Sequence, residues 1–128
     1  MELKVKIKSF FKKFVFLLIA VGVFFVVKGY TAQDKFKTDT VYLFWQDGCS
    51  HCHDAISYIQ ANHKNLNIEL LNIAQENGRD KLISAMKKYG LSNRIGTPLL
   101  IMDKEIIMGW SKEAQQRFKE KSYLFEKK

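Results

Sequence analysis

Two cysteines and one proline are all that this chain of 128 residues holds of either. So few cysteines exclude the cross-linked framework of a small disulfide-rich domain. A bridge between Cys49 and Cys52, three residues apart, would close almost no loop and so would hardly stabilise the fold. No second cysteine cluster stands downstream to complete a structural zinc site. No cysteine stands directly after the apolar run near the N-terminus, which excludes a lipid-modified anchor. Internal repeats and low-complexity tracts are absent. Acids are scarce as well, thirteen against twenty-one lysines and arginines. Much of that excess lies in residues 1–32, which carry six lysines and one acid and leave fifteen bases against twelve acids in the rest. A net charge of +3 on the remainder is too small and too scattered for a nucleic-acid surface, so no nucleic-acid partner is expected.

What is present begins with "MELKVKIKSFFKK", a basic head with Glu2 as its only acid, followed by "FVFLLIAVGVFFVV", Phe14 to Val27, without one polar side chain. That order is the form of a secretory signal or signal anchor. Fourteen apolar residues are short of the roughly 20 a spanning helix needs. Lys28 can snorkel, however, and "GYTA" extends the segment to Ala32. The small-x-small cleavage pattern is poor, since Tyr30 takes the −3 place before Ala32. The expectation is therefore a basic cytoplasmic N-terminus over 1–13, a retained single-pass anchor over 14–32, a polar linker over 33–39 and an extracytoplasmic (periplasmic) domain over 40–128. The alternative is export followed by signal cleavage.

In the exported part "VYLFW", Val41 to Trp45, reads as a buried strand. From Cys49 to about His63 the positions Cys52, Ala55, Ile56 and Ile59 recur at helical spacing. "LNIELLNI", Leu66 to Ile73, reads as a second strand. The next helix carries Leu82, Ile83, Met86 and Tyr89 on one face, with Gly90 as its stop. "PLLIM" and "EIIMG" flank Asp103-Lys104 as a hairpin. Ser111 is placed as the N-cap of a last helix whose inner face is Ala114, Phe118 and Phe125. The order β-α-β-α-β-β-α predicts an α/β domain with a parallel core and an antiparallel edge.

The chemistry concentrates in "CSHCH", Cys49 to His53. A strand, a turn and a helix starting at Cys49 put that sulfur at a helix N-terminus, where unpaired N–H groups favour a thiolate. Cys52 follows one turn on and nearer the core, placed to act as the resolving thiol. His51 between them can add positive charge. Two other readings use the same residues. Cys49, Cys52 and His53 satisfy the c-type haem pattern, with Met86, Met102 and Met108 as possible sixth ligands. A helical haem domain, however, would not contain the strand and hairpin read here. A metal carrier would use Cys49, His51, Cys52 and His53, but four donors within five residues do not easily surround one ion. The dithiol is favoured, with no cofactor and no metal; a haem or metal-binding module is the alternative. The remaining histidine, His63, is isolated and expected to face solvent. Pro98, in "RIGTPLLIM", opens a strand in which it cannot donate to the ladder, which a cis Thr97–Pro98 bond would explain and a trans bond also allows.

Taken together, a strand, a C-x-x-C at a helix start and a proline opening the following hairpin resemble the thioredoxin superfamily over about Thr40 to Phe125. "FWQDGCSHC" is similar to the thioredoxin pattern at Phe44, Trp45, Cys49 and Cys52. The resemblance implies a minimal thioredoxin/glutaredoxin-like fold, thiol–disulfide exchange with protein substrates, and an unidentified redox partner. It implies a cis Pro98 beside a redox-active Cys49–Cys52 disulfide, and Thr97 offering its backbone to a substrate strand. His51 resembles the histidine before the second cysteine of disulfide isomerases and periplasmic oxidases. The departures are specific. Leu43 stands where thioredoxins carry a buried aspartate, Gly48 where they carry a tryptophan, and Gly109-Trp110-Ser111-Lys112 where glutaredoxins hold glutathione. These departures, with His51, predict an oxidase or isomerase poise and a Cys49 pKa well below the free value of about 8.5.

Overall fold

The computed structural model describes residues 10–19 and 35–128. The chain divides into two units, Met1–Asp34 and Lys35–Lys128. In the first, residues 10–19 are helical and their apolar side chains are exposed. The expected anchor over 14–32 and the basic head over 1–13 lie largely outside the described residues. Among the described residues no helix is long and apolar enough to cross a membrane.

The second unit runs β1 (Val41–Trp45), α1 (Ser50–Asn62), β2 (Ile68–Asn72), α2 (Glu76–Tyr89), β3 (Leu99–Met102), β4 (Glu105–Met108), α3 (Lys112–Ser122) and a closing 3-10 turn (Tyr123–Phe125). The strand order is β2-β1-β3-β4. β1 and β2 are parallel, Val41 against Ile68. β3 runs antiparallel to β1, Phe44 against Leu99, and β4 antiparallel to β3. The predicted element order and the antiparallel edge are thus observed.

The continuous apolar run of β1 follows from its place in the middle of the sheet, where both faces are covered. Val41 and Leu43 face Leu100 and Met102 in a core closed by Ala55 and Ile59 of α1 and by Ala114 and Phe118 of α3. Tyr42 and Phe44 face Leu99 and Ile101 on the other side, closed by Ala85 of α2. Each large side chain so buried contributes about 1.5–3 kcal/mol.

Three details differ from the sequence reading. Phe36, placed in the linker, is 4% exposed and packs edge-on to Tyr42 at 5.0 Å. The N–H of Lys37 donates to Tyr42 Oη at 2.8 Å, so the compact unit reaches back into the presumed tether. On α2 the inner face is Gly78, Leu82, Ala85 and Tyr89, while Ile83 is 45% exposed. Small residues decide this, because a Cβ on Gly78 would lie 2.0 Å from Asn72 O, so α2 starts pressed onto the end of β2. His63 is half-buried rather than solvent-facing. The chain turns there, Leu66 N–H donating to His63 O, and the ring stands edge-on to Phe118 at 5.2 Å.

Candidate active site

β1 delivers the chain to one end of the sheet at Trp45. The turn Gln46–Gly48 brings it back, with Gly48 in the left-handed region at φ 76°. Cys49 is then the N-cap of α1, as the sequence predicts. Its Sγ takes the part usually played by a hydroxyl or carboxylate and accepts from Cys52 N–H at 3.2 Å. The first-turn N–H groups of α1 therefore point at this sulfur, and no acidic side chain in that turn competes for them.

Cys49 and Cys52 form a disulfide with their Cα atoms 5.2 Å apart. The two sulfurs are not equivalent. Cys49 is half-buried and reachable, while Cys52 is wholly buried. An attacking thiolate can approach only the first, which fits Cys49 as the exchanging sulfur and Cys52 as the resolving one.

The Thr97–Pro98 bond is cis. Because Leu99 pairs with Phe44, the start of β3 lies beside the end of β1, and the Thr97 loop falls over the disulfide. Thr97 O is 3.7 Å from Cys49 Sγ, and Thr97 Oγ1, at 3.5 Å, donates toward the same sulfur. Pro98 has no N–H to contribute, but its carbonyl accepts from Gly109 N–H at 2.8 Å, tying the loop to the end of β4.

A reachable disulfide at a helix N-terminus, roofed by a cis-proline loop on a β2-β1-β3-β4 sheet, decides the architecture. The fold is thioredoxin-like. No protein-family model matches the chain, and no curated protein matches it in sequence. A solved structure that it resembles is the crystal structure of a mutant of a thioredoxin-like protein. The two are 20% identical, and the match covers 60% of this chain and 95% of that one, with a TM-score of 0.45.

Of the predicted site residues, the thioredoxin-like fold brings together Cys49, Cys52, Thr97 and Pro98. His51 is exposed on the same turn of α1, and among the described residues no hydrogen bond joins it to Cys49. His53, the haem or metal candidate, is exposed and stands edge-on to Trp45 at 5.9 Å. Among the described residues no three His, Cys, Asp or Glu side chains converge on a point that could hold a metal ion. Leu43 is completely buried in the α1 core, and the buried polar residues among those described are Thr40 and Ser122. The thioredoxin-like site thus has no buried carboxylate to take a proton from Cys52.

Two contacts at the site escaped sequence reasoning. One is Trp45 against His53. The other is Gly96 N–H donating to Met108 Sδ at 3.3 Å. Alternation in "EIIMG" signals that Met108 faces away from Ile107, but no local pattern places it over Gly96.

Proposed function

We propose that this protein carries out thiol–disulfide exchange with protein substrates outside the cytoplasm, held at the membrane by residues 14–32. A thioredoxin-like fold with a helix-capping C-x-x-C supports redox exchange in general. The observation that carries the reading is the asymmetry of the disulfide, one sulfur reachable under the Thr97 loop and the other sealed in the core. The basic head and apolar run support the location.

In the oxidising direction, a substrate thiolate attacks Cys49 Sγ. The Cys49–Cys52 bond breaks, a mixed disulfide forms and Cys52 leaves as thiolate. A second substrate thiolate then attacks the substrate sulfur of that mixed disulfide. This releases a substrate disulfide and leaves both cysteines reduced; two electrons have passed from substrate to enzyme, and two protons to Cys52 and solvent. A redox partner must reoxidise the pair. The Thr97 carbonyl docks the substrate backbone. The helix N-terminus and the charge of His51 stabilise the Cys49 thiolate, which favours the reduced form and gives an oxidase or isomerase poise. Without a carboxylate under Cys52 its deprotonation is slower, so mixed disulfides last longer.

The test is refolding of a scrambled disulfide substrate, together with insulin reduction, by the wild-type protein and two variants. Cys49→Ser should abolish both activities, and Cys52→Ser should trap a mixed disulfide. Full activity of Cys49→Ser overturns the assignment. A potential more negative than about −270 mV, that of thioredoxin, would overturn the oxidising poise alone.

A further inference from the structure

Among the described methionines, Met102 is buried and Met86 half-buried, whereas Met108 is 46% exposed. A thioether open to solvent is the one that oxidants reach. Met108 ends β4 opposite Leu99, the residue that follows Pro98. Its Sδ accepts from Gly96 N–H at 3.3 Å. A Cβ on Gly96 would stand 3.5 Å from Met108 Cγ and 3.7 Å from Sδ, so the side chain lies against the Gly96 backbone. Gly96 immediately precedes Thr97, whose carbonyl and hydroxyl oxygens are 3.7 and 3.5 Å from Cys49 Sγ. The loop over the disulfide is therefore fastened to the end of β4 twice. Gly109 N–H holds the Pro98 carbonyl, and a sulfur holds Gly96. The exchange chemistry does not use that sulfur, and a leucine would offer the same apolar surface without accepting a hydrogen bond.

We propose that Met108 is an oxidation-sensitive positioning residue, whose thioether sets the Gly96–Thr97 loop for substrate docking and whose conversion to the sulfoxide by a hydroperoxide weakens that docking. The inference rests on the exchange function proposed above. In the reaction the peroxide transfers one oxygen to Sδ. The O–O bond breaks, an S–O bond forms, sulfur loses two electrons and the peroxide departs as an alcohol, or as water from hydrogen peroxide. The Cys49–Cys52 disulfide is already oxidised and takes no part. The new oxygen is bonded to the atom that met the Gly96 N–H. Added on the solvent-facing lone pair, the oxygen draws electrons from Sδ and leaves a poorer acceptor for that N–H; added on the other, it stands between Sδ and a nitrogen only 3.3 Å away. Either loosens the fastening of the loop that carries Thr97, and either turns an apolar surface polar.

The experiment uses the full chain in detergent, in its disulfide form, treated with hydrogen peroxide. Peptide mass spectrometry should show one oxygen added at Met108 before Met86 or Met102. The KM for a reduced protein substrate should then rise about 2- to 10-fold, the range for one lost hydrogen bond. The kcat should be unchanged, as should the rate with dithiothreitol, which needs no docking. Met108→Leu should reproduce the higher KM without peroxide and show no further response to it. In both forms the Gly96 amide should exchange with solvent faster than in the untreated protein. Oxidation of Met86 or Met102 first, or a KM that neither treatment moves, overturns the proposal. If the untreated protein exchanges with no protein substrate, the function has failed instead. The Gly96 amide then judges the positioning role, and unchanged exchange at that amide overturns it.

Discussion

The two ends of the sheet are built differently. At the end away from the disulfide, backbone and side-chain groups close on one another. Asn67 N–H donates to Phe125 O at 2.8 Å and Lys127 N–H to Asn65 O at 2.7 Å. Asn67 Nδ2 donates to Asp39 O and Thr40 Oγ1, each at 3.0 Å, and Lys37 N–H to Tyr42 Oη. Aromatic rings pack there too, His63 against Phe118. At the disulfide end short backbone bonds such as Gly109 N–H to Pro98 O at 2.8 Å are joined by longer ones, several of which end on sulfur. Cys49 N–H reaches Gln46 O at 3.4 Å, Cys52 N–H reaches Cys49 Sγ, and Gly96 N–H reaches Met108 Sδ. Ordinary backbone and ring contacts hold the scaffold. The end that carries the disulfide uses sulfur, a polarisable acceptor, for several of its hydrogen bonds.

Substitutions at the two ends should separate stability from exchange. The largest loss of stability is expected from Phe118→Ala. It empties a wholly buried site between α3 and the sheet, and should cost about 3–5 kcal/mol in urea unfolding with little change in the exchange rate per folded molecule. An exchange rate that falls in proportion to stability would show that the two ends are not separable.

Gly78→Ala should come next. The added methyl meets Asn72 O at the start of α2, and overpacking of this kind costs about 1–3 kcal/mol. Asn72 borders the active end, where the next residue, Ile73, donates its N–H to Trp45 O at 2.9 Å. This variant should therefore also disturb Trp45, visible as a shift in tryptophan fluorescence that Phe118→Ala, adjacent to Trp110, would produce in the other indole. Retained stability would mean that α2 can lift from β2 at no cost.

The smallest effect is expected at the cap of α3. Ser111 Oγ accepts from Ala114 N–H at 3.1 Å, and Ser111→Ala should cost about 1 kcal/mol. Beside it, Glu113 is held below its ordinary pKa of 4.5 by its own backbone N–H and by the Ser111 hydroxyl. A carboxyl whose folded pKa is depressed contributes stability above the unfolded value and loses it as pH falls through the folded one. The difference between wild type and Ser111→Ala should therefore shrink in acid, below 4.5, and an undiminished difference there would remove Glu113 from the account.

Much of this was legible in residue order. "VYLFW" announced a buried strand because strands covered on both faces need no polar alternation, and "PLLIM" and "EIIMG" about Asp103-Lys104 announced a hairpin. Ser111 and Gly90 announced helix ends because a side-chain acceptor and a left-handed residue, φ 63° at Gly90, are what those ends require. "CSHC" after a turn announced a dithiol at a helix start. The misreadings share a cause. Ile83 looked inward by hydrophobicity alone, but Gly78 and Ala85 let α2 approach on a different side, and closeness of backbones is invisible to a count of apolar residues. Phe36 looked like part of a tether because its neighbours are charged, and its place is made by residues distant in sequence, Tyr42 and Tyr89 among them. His63 looked isolated because Phe118, far along the chain, reaches it only after α3 folds back.

The sequence by itself determined the element order, the reactive pair and the export-like N-terminal segment, because propensity, capping and periodicity act over a few neighbouring residues. Tertiary structure alone decided which sulfur is sealed and which is reachable, that Thr97 stands over Cys49, that Met108 rests on Gly96 and that, among the described residues, no buried carboxylate lies under Cys52. Those facts depend on β1, β3 and β4 lying side by side, which joins residues 48 positions apart at the disulfide through strand register, and register emerges only when the two faces of the sheet are buried together.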